Sequence, residues 1–274
     1  MREKPREYAY SGKLEEAMRL EAQAKALEKI IGKELEIIGL KPNMKVLDAG
    51  CGTGTVTRRM ASKVLPEKAY GVDFDPVFID EAKKSAVREG VKNIHFELGN
   101  IDNLRFEKGT FDLSYCRLVL MHVNNPVKTI SELKRVTKSG GTIGASDVDD
   151  GGMLWFPQTP KLFELWSKFG HWAKTRGDDR YIGRQLFSIF TDAGLSSVKI
   201  YPLPMYSTQQ NPEALKMLVN VPVQIMEQDK EVLIKEGLIT VKDYEEAKKE
   251  TQFLLSHPGA FAMGLTFLAI ANIP

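Results

Sequence analysis

Apolar positions in the first forty residues recur every three or four places. Leu14, Met18, Ala22, Leu27, Ile30, Ile31, Leu35 and Ile38 stand among charged neighbours, the signature of an amphipathic helix. The pattern predicts one helix over 15–40, ended by Gly39 and Pro42. Residues 45–49 form a short apolar strand, 55–64 a helix and 69–73 a second strand. Pro76 opens a helix that runs to 89 and stops at Gly90. Residues 93–98 and 111–116 read as strands, 126–137 as a helix, and 142–146 as a strand after the Gly140–Gly141 turn. Strands alternating with helices over a hundred residues predict an α/β fold with a parallel sheet covered on both faces. Right-handed crossovers leave little freedom in its winding.

Two segments break this rhythm. The first, about 149–180, is rich in aromatics: Trp155, Phe156, Phe163, Trp166, Phe169 and Trp172. The α/β pattern returns with a helix over 183–193 and a strand over 197–201. The second departure, within about 205–258, reads as helices with charged faces. The tail, 262–270, is apolar enough for a buried last strand, although its Met, Ala and Leu also suit a helix. The expected organisation is an N-terminal helical segment, 1–40, followed by one domain, 41–274, with cap insertions at about 149–180 and 205–258.

Composition narrows the function classes. Of 274 residues, 43% are hydrophobic and 27% charged, ordinary values that set disorder aside. No run approaches the ~20 apolar residues of a membrane span, and the first residues lack the apolar core of a secretory signal. Cytoplasmic location without stable membrane insertion is the expectation. A net charge of +2, with basic and acidic residues interspersed, supplies no dense basic stripe, so no nucleic-acid partner is expected. Cys51 and Cys116 make neither a disulfide framework nor a zinc spacing; no metal is expected, and both thiols should be reduced. Abundant Lys and Glu with sparse Gln hint at a thermophile.

The chemistry concentrates in Val46-Leu47-Asp48-Ala49-Gly50-Cys51-Gly52-Thr53-Gly54-Thr55. Three glycines between a buried strand and a helix N-terminus suit close backbone approach to a ligand, and the exposed N–H groups suit a polar one. A dinucleotide fingerprint would place its last glycine at position 55; Thr55 stands there and Gly54 one residue earlier. Asp48 would repel a pyrophosphate and attract an ammonium, so an amino-acid-bearing nucleoside fits better than a nicotinamide dinucleotide. Asp73, ending the second strand, is placed to accept from ribose hydroxyls.

On these residues the chain resembles the class I S-adenosylmethionine-dependent methyltransferases, near the small-molecule branch typified by quinone-biosynthesis enzymes. The resemblance implies a Rossmann-like, doubly wound, mostly parallel seven-stranded sheet with S-adenosyl-L-methionine as cofactor and S-adenosyl-L-homocysteine as product. Val46 to Gly54 matches the first family motif in residue type, implying Gly50, Cys51, Gly52 and Gly54 around the cofactor. Gly71-Val72-Asp73-Phe74-Asp75-Pro76 resembles the second, implying Asp73 on the ribose and Phe74 beside the adenine. Gly99-Asn100-Ile101-Asp102 resembles the third, with Asn100 where an acid usually receives the adenine amino group; an amide oxygen accepts the same hydrogen bond. Phe111 to Cys116 resembles the strand passing the methyl donor. Glu16, Arg19, Leu20 and Gln23 repeat a spacing found in relatives, preceded by Tyr8 and Tyr10, and imply Arg19 on the cofactor carboxylate.

The sulfonium carries its own activation, so the protein's part is alignment at near-attack distance. A base is required only where the nucleophile must lose a proton; Asp147, Asp149 and His122 are the candidates by position. Trp155 and Phe156 are the candidates to hold a planar, partly apolar small acceptor. Against a base-modifying enzyme, Cys116-Arg117-Leu118-Val119 stands where an Asn/Asp-Pro-Pro-aromatic tetrad is common. A methyltransferase acting on RNA or protein, and a non-catalytic cofactor-binding module, are the alternatives.

Overall fold

The computed structural model describes residues 12–274. In chain order the elements are α1 (Leu14–Ala26), α2 (Glu28–Ile37), β1 (Val46–Ala49), α3 (Thr55–Val64), β2 (Ala69–Asp73), α4 (Pro76–Arg88), β3 (Ile94–Leu98) and β4 (Phe111–Arg117). They continue with α5 (Pro126–Val136), β5 (Thr137–Val148), β6 (Leu154–Phe156), α6 (Pro160–Thr175), α7 (Leu186–Asp192), β7 (Lys199–Thr208), α8 (Pro212–Lys235), α9 (Val241–Ser256) and β8 (Phe261–Asn272). The strands form one eight-stranded sheet in the order β3-β2-β1-β4-β5-β8-β6, with β7 also on β8. The chain divides into two compact units. Of the described residues, the first holds 12–147, 182–201 and 267–274; the second holds 148–181 and 202–266.

In the first unit β1 pairs parallel with β2 and β4, β2 with β3, and β4 with β5. All four residues of β1 are buried, as a strand covered on both faces must be. Local chemistry starts the helices where the glycine and proline signals placed them. The Asp75 carboxylate accepts from the Val77 and Phe78 amides at 2.8 and 3.4 Å, capping α4 behind Pro76. Asn125 caps α5 through the Lys128 amide at 3.0 Å.

Three details depart from the sequence expectation. The single helix over 15–40 is two helices, because the chain turns at Leu27, φ −92° and ψ 12°. The turn lets α1 lie against α3 and α4, while Ile38 beyond α2 fills the space that a side chain at Gly144 of β5 would need, 2.2 Å from the Cβ position. The fifth strand begins at Thr137 rather than 142, absorbing the glycine turn. The sheet has an eighth strand, β6, whose three residues lie inside the aromatic segment. The tail is strand.

In the second unit, β6 pairs antiparallel with the start of β8, Trp155 opposite Ala262. Trp166, Phe169 and Tyr244 are buried in a core built by α6, α8 and α9, with Trp166 stacked on Phe169 at 5.3 Å. Much of the aromatic density therefore packs inside this unit. Arg180 lies over the Trp166 ring at 4.8 Å and pairs with Asp150. Thr240 and Asp243 form a reciprocal capping box at the start of α9.

Candidate functional site

The strand order reverses between β1 and β4: β2 and β3 lie to one side, β5 to the other. In an open α/β sheet, ligands bind outside the carboxyl ends of the strands at that switch. The Gly50–Gly54 loop leaves β1 at this place. Its backbone is pinned from below, since the Gly50 and Cys51 amides both donate to the Val72 carbonyl at 2.8 and 3.0 Å. Gly50, Gly52 and Gly54 have φ of 75°, 52° and 75°, which glycine adopts without penalty.

The three glycines nevertheless answer to different neighbours. A Cβ on Gly50 would stand 2.5 Å from Val119 Cγ2, and one on Gly54 2.5 Å from Phe96 Cζ. Both are glycine because the protein itself packs there. At Gly52 the nearest atom is Leu20 Cδ1 at 3.9 Å, so of the three this is the position where a side chain would enter open space.

Two buried carboxylates flank the loop. Asp48, 2% exposed, accepts from the Thr57 hydroxyl at 2.6 Å; burial pushes its carboxyl up to about 7, the nearby charge of Asp73 adding to the rise. Asp73, 6% exposed, accepts from the Gly52 amide at 2.8 Å through one oxygen and the Asp75 amide at 3.0 Å through the other. Burial pushes it up to about 6 against those hydrogen bonds. Phe74 beside it, just past the end of β2, is 39% exposed.

The N-terminal helix joins the loop through a residue the sequence reading did not single out. Glu21 accepts from the Thr53 and Thr55 hydroxyls at 2.9 and 2.7 Å and from Arg58 Nη2. Arg58, 5% exposed, also donates to the Thr53 carbonyl at 2.8 Å and to Glu89 at 2.9 Å. Burial raises the Glu21 carboxyl, but the Thr55 hydroxyl and the Arg58 charge hold it below its ordinary value. Arg19 bonds Glu16 through Nε and Nη2 at 2.8 and 2.7 Å, and Gln23 at 3.4 Å. It is thus engaged along its own helix. Tyr8 and Tyr10 lie outside the described residues.

The remaining candidates fall as follows. Asn100 Oδ1 accepts from the Asp102 amide at 2.9 Å, leaving one oxygen lone pair for a ligand; Ile101 is half-buried beside it. Cys51 and Cys116 are buried free thiols, and burial pushes both well above the ordinary thiol range. Asp147 is fully buried at the end of β5 and accepts from the Met121 amide at 3.3 Å. His122 is half-buried in a short 3-10 turn after β4. Asp149 belongs to the second unit, where it accepts from the Gly151 amide at 3.0 Å. Also there, Trp155 is half-buried against that unit's core, whereas Phe156 is 54% exposed, edge-on to His257.

A second buried constellation went unpredicted. Glu34 of α2, fully buried, accepts from Tyr115 at 3.0 Å, Arg117 Nε at 2.8 Å and Ser146 at 2.6 Å. The signal was present in the sequence: an acid three residues after Ile31 and four before Ile38, on the apolar stripe.

The sheet order, the glycine turn and the paired acids define a Rossmann-like cofactor-binding core of the methyltransferase type. Residues 40–194 match the family described as "Methyltransferase domain", more than half of the chain, and the chain belongs to that family. A curated relative, an uncharacterized methyltransferase of Schizosaccharomyces pombe, is 34% identical over 116 residues, covering 40% of this chain and 42% of that protein. A demethylmenaquinone methyltransferase of Bacillus mycoides is 26% identical over 181 residues, covering 61% and 76%. The phosphoethanolamine N-methyltransferase 2 of Haemonchus contortus, solved with phosphomonomethylethanolamine and S-adenosylhomocysteine, shares the fold with a TM-score of 0.57 at 18% identity. That match covers 90% of this chain and 53% of the other. The chain spans about half the length of the first curated relatives it matches. Among the described residues no helix is long and apolar enough to cross a membrane.

Proposed function

We propose that the protein transfers the methyl group of S-adenosylmethionine to an O, N or C nucleophile of a small or medium-sized, partly apolar acceptor. The observation that carries this reading is the pair of buried acids, Asp48 and Asp73, on either side of a glycine loop open only at Gly52. Their donor and acceptor chemistry fits the cofactor. Asp48 suits an ammonium, and the remaining lone pairs of Asp73 suit ribose hydroxyls. The exposed Phe74 ring suits an adenine face, with Asn100 and Ile101 at its edge. Gly50, Cys51, Gly52, Gly54 and Cys116 are assigned to the wall around the sulfur.

When bound, S-adenosylmethionine supplies a methyl group already activated by its sulfonium. The chain's own residues then have to hold and align. Burial around Asp48 keeps water away from the amino-acid end and strengthens each charge contact there. Asp147 and His122, both in the first unit, are assigned to orienting the acceptor and taking its proton where it has one to lose. The similarity to a demethylmenaquinone methyltransferase supports a phenol- or quinol-like acceptor over a macromolecule.

Calorimetry tests the cofactor half: S-adenosylhomocysteine should bind one per chain, and NADH should not. Binding of NADH alone would defeat the reading. A screen of quinols, phenols, amines and lipid-like acceptors with methyl-labelled cofactor tests the rest. Label appearing only in added RNA or protein would replace the small acceptor by a macromolecule.

A further inference from the structure

Arg117 closes β4 at the carboxyl edge of the sheet, with Ser146 as its Cα partner in β5. Tyr115, two residues earlier on the same strand face, is the partner of Asp48 in β1. The guanidinium is almost wholly enclosed, its side chain 7% exposed. Its Nε donates to Glu34 at 2.8 Å, yet its Nη2 is buried with no partner among the described residues. Glu34 accepts from Tyr115, Ser146 and Arg117 Nε and makes no bond to that nitrogen. A buried charged donor without a partner is costly, and such a group calls for a partner that a ligand can supply.

We propose that Arg117 Nη2 receives the carboxylate of the cofactor's amino-acid end, with Asp48 of the neighbouring strand receiving its ammonium. The inference rests on the cofactor reading above and deepens it. Opposite charges at the ends of adjacent strands β1 and β4 match a zwitterion, whereas either charge alone would not. The field of Arg117 is felt at Asp48, opposing the rise that burial imposes there, and Asp147 bears on Arg117 in the same way. Arg19, the residue that the family spacing suggests for this carboxylate, bonds both oxygens of Glu16. Glu34 is then a positioning residue: it fixes the guanidinium plane through Nε and leaves Nη2 for the ligand, in keeping with the planar fork of arginine.

The bland alternative is a structural ion pair fastening α2 to β4. Three ligands separate the two: S-adenosylhomocysteine, its decarboxylated analogue S-adenosyl-3-thiopropylamine, and 5′-methylthioadenosine, which lacks the amino-acid end altogether. In the wild-type protein, calorimetry should show the decarboxylated analogue binding about 10- to 100-fold more weakly than S-adenosylhomocysteine, the range of a charged hydrogen bond. In Arg117→Lys, and in the double variant Arg117→Met with Glu34→Gln, S-adenosylhomocysteine should fall to the analogue's level. Affinity for 5′-methylthioadenosine should stay within twofold. Equal wild-type affinity for the first two ligands would overturn the proposal without any variant having to fold. So would an equal loss of all three ligands in the variants, or unchanged affinity with a raised KM for acceptor. A wild-type protein that binds none of the three would instead remove the cofactor reading itself.

Discussion

The amide of Gly52 donates to the carboxylate of Asp73 at 2.8 Å, across twenty-one residues of sequence. Because the other oxygen of Asp73 accepts from the Asp75 amide at 3.0 Å, one side chain sets the loop after β1 and the turn after β2 together. Its charge therefore shapes the cradle as well as offering lone pairs to a ligand. Asp73→Ala should weaken S-adenosylhomocysteine binding by about 1.5–3 kcal/mol for a lost charged hydrogen bond. Calorimetry reads this, and unchanged affinity would move the ribose contact elsewhere.

The loop glycines should respond differently to substitution. Gly50→Ala drives a methyl group into Val119 at a backbone φ of 75°, so it should destabilise the fold by roughly 2 kcal/mol or more. Gly52→Val meets only Leu20 at 3.9 Å. Its cost should be about the 1–2 kcal/mol of a left-handed backbone, while ligand binding is abolished. Thermal melts with and without S-adenosylhomocysteine distinguish the two, and a Gly52→Val protein that still binds would show the open space to be irrelevant.

Asp48 and Asp73, pushed up by burial to about 7 and about 6, retain protons in the fold that the unfolded chain gives up near pH 4. The stability this confers is complete below that pH and is lost as pH rises through 6 and 7. Unfolding of the unligated protein should therefore become easier across this window. An ammonium beside Asp48 favours the ionised form, so S-adenosylhomocysteine affinity should rise from pH 6 to 8 and then level. Calorimetry at pH 6.5 in buffers of different ionisation enthalpy should register proton release. Asp48→Asn should reduce that release, and a wild-type protein with none would contradict the assignment.

Glu21 holds α1 on the glycine loop through Thr53, Thr55 and Arg58. Its lowered carboxyl contributes stability above its unfolded pKa, lost as pH falls through the lower folded value. With the acid 35% exposed, screening keeps its worth near 1 kcal/mol. Glu21→Gln should speed proteolytic cleavage within 14–26 and weaken S-adenosylhomocysteine binding a few-fold. Cleavage at the wild-type rate would show that α1 is held by its apolar contacts alone.

Most of the first unit was legible in the sequence, because its signals are local. Short apolar runs marked β1 to β4, and Pro76 and Pro126 marked helix starts that their preceding Asp75 and Asn125 cap. The turn at Leu27 was not legible, since the apolar stripe runs through it unbroken. Nor was β6, whose three residues become strand only by pairing with β8.

What the sequence determined by itself is the glycine loop between β1 and α3 and the acids beside it. There the residues that make the turn and those that meet a ligand lie within one short stretch, and backbone geometry dictates their types. Tertiary structure decided which glycine faces open space and which merely makes room for Val119 or Phe96. It decided that Glu21 reaches the loop. It also joined Glu34 to Arg117 across 83 residues, burying two opposite charges whose pairing no local pattern records. The physical reason is that periodicity specifies which face of an element is covered, whereas a hydrogen bond between distant side chains depends on how the elements stack.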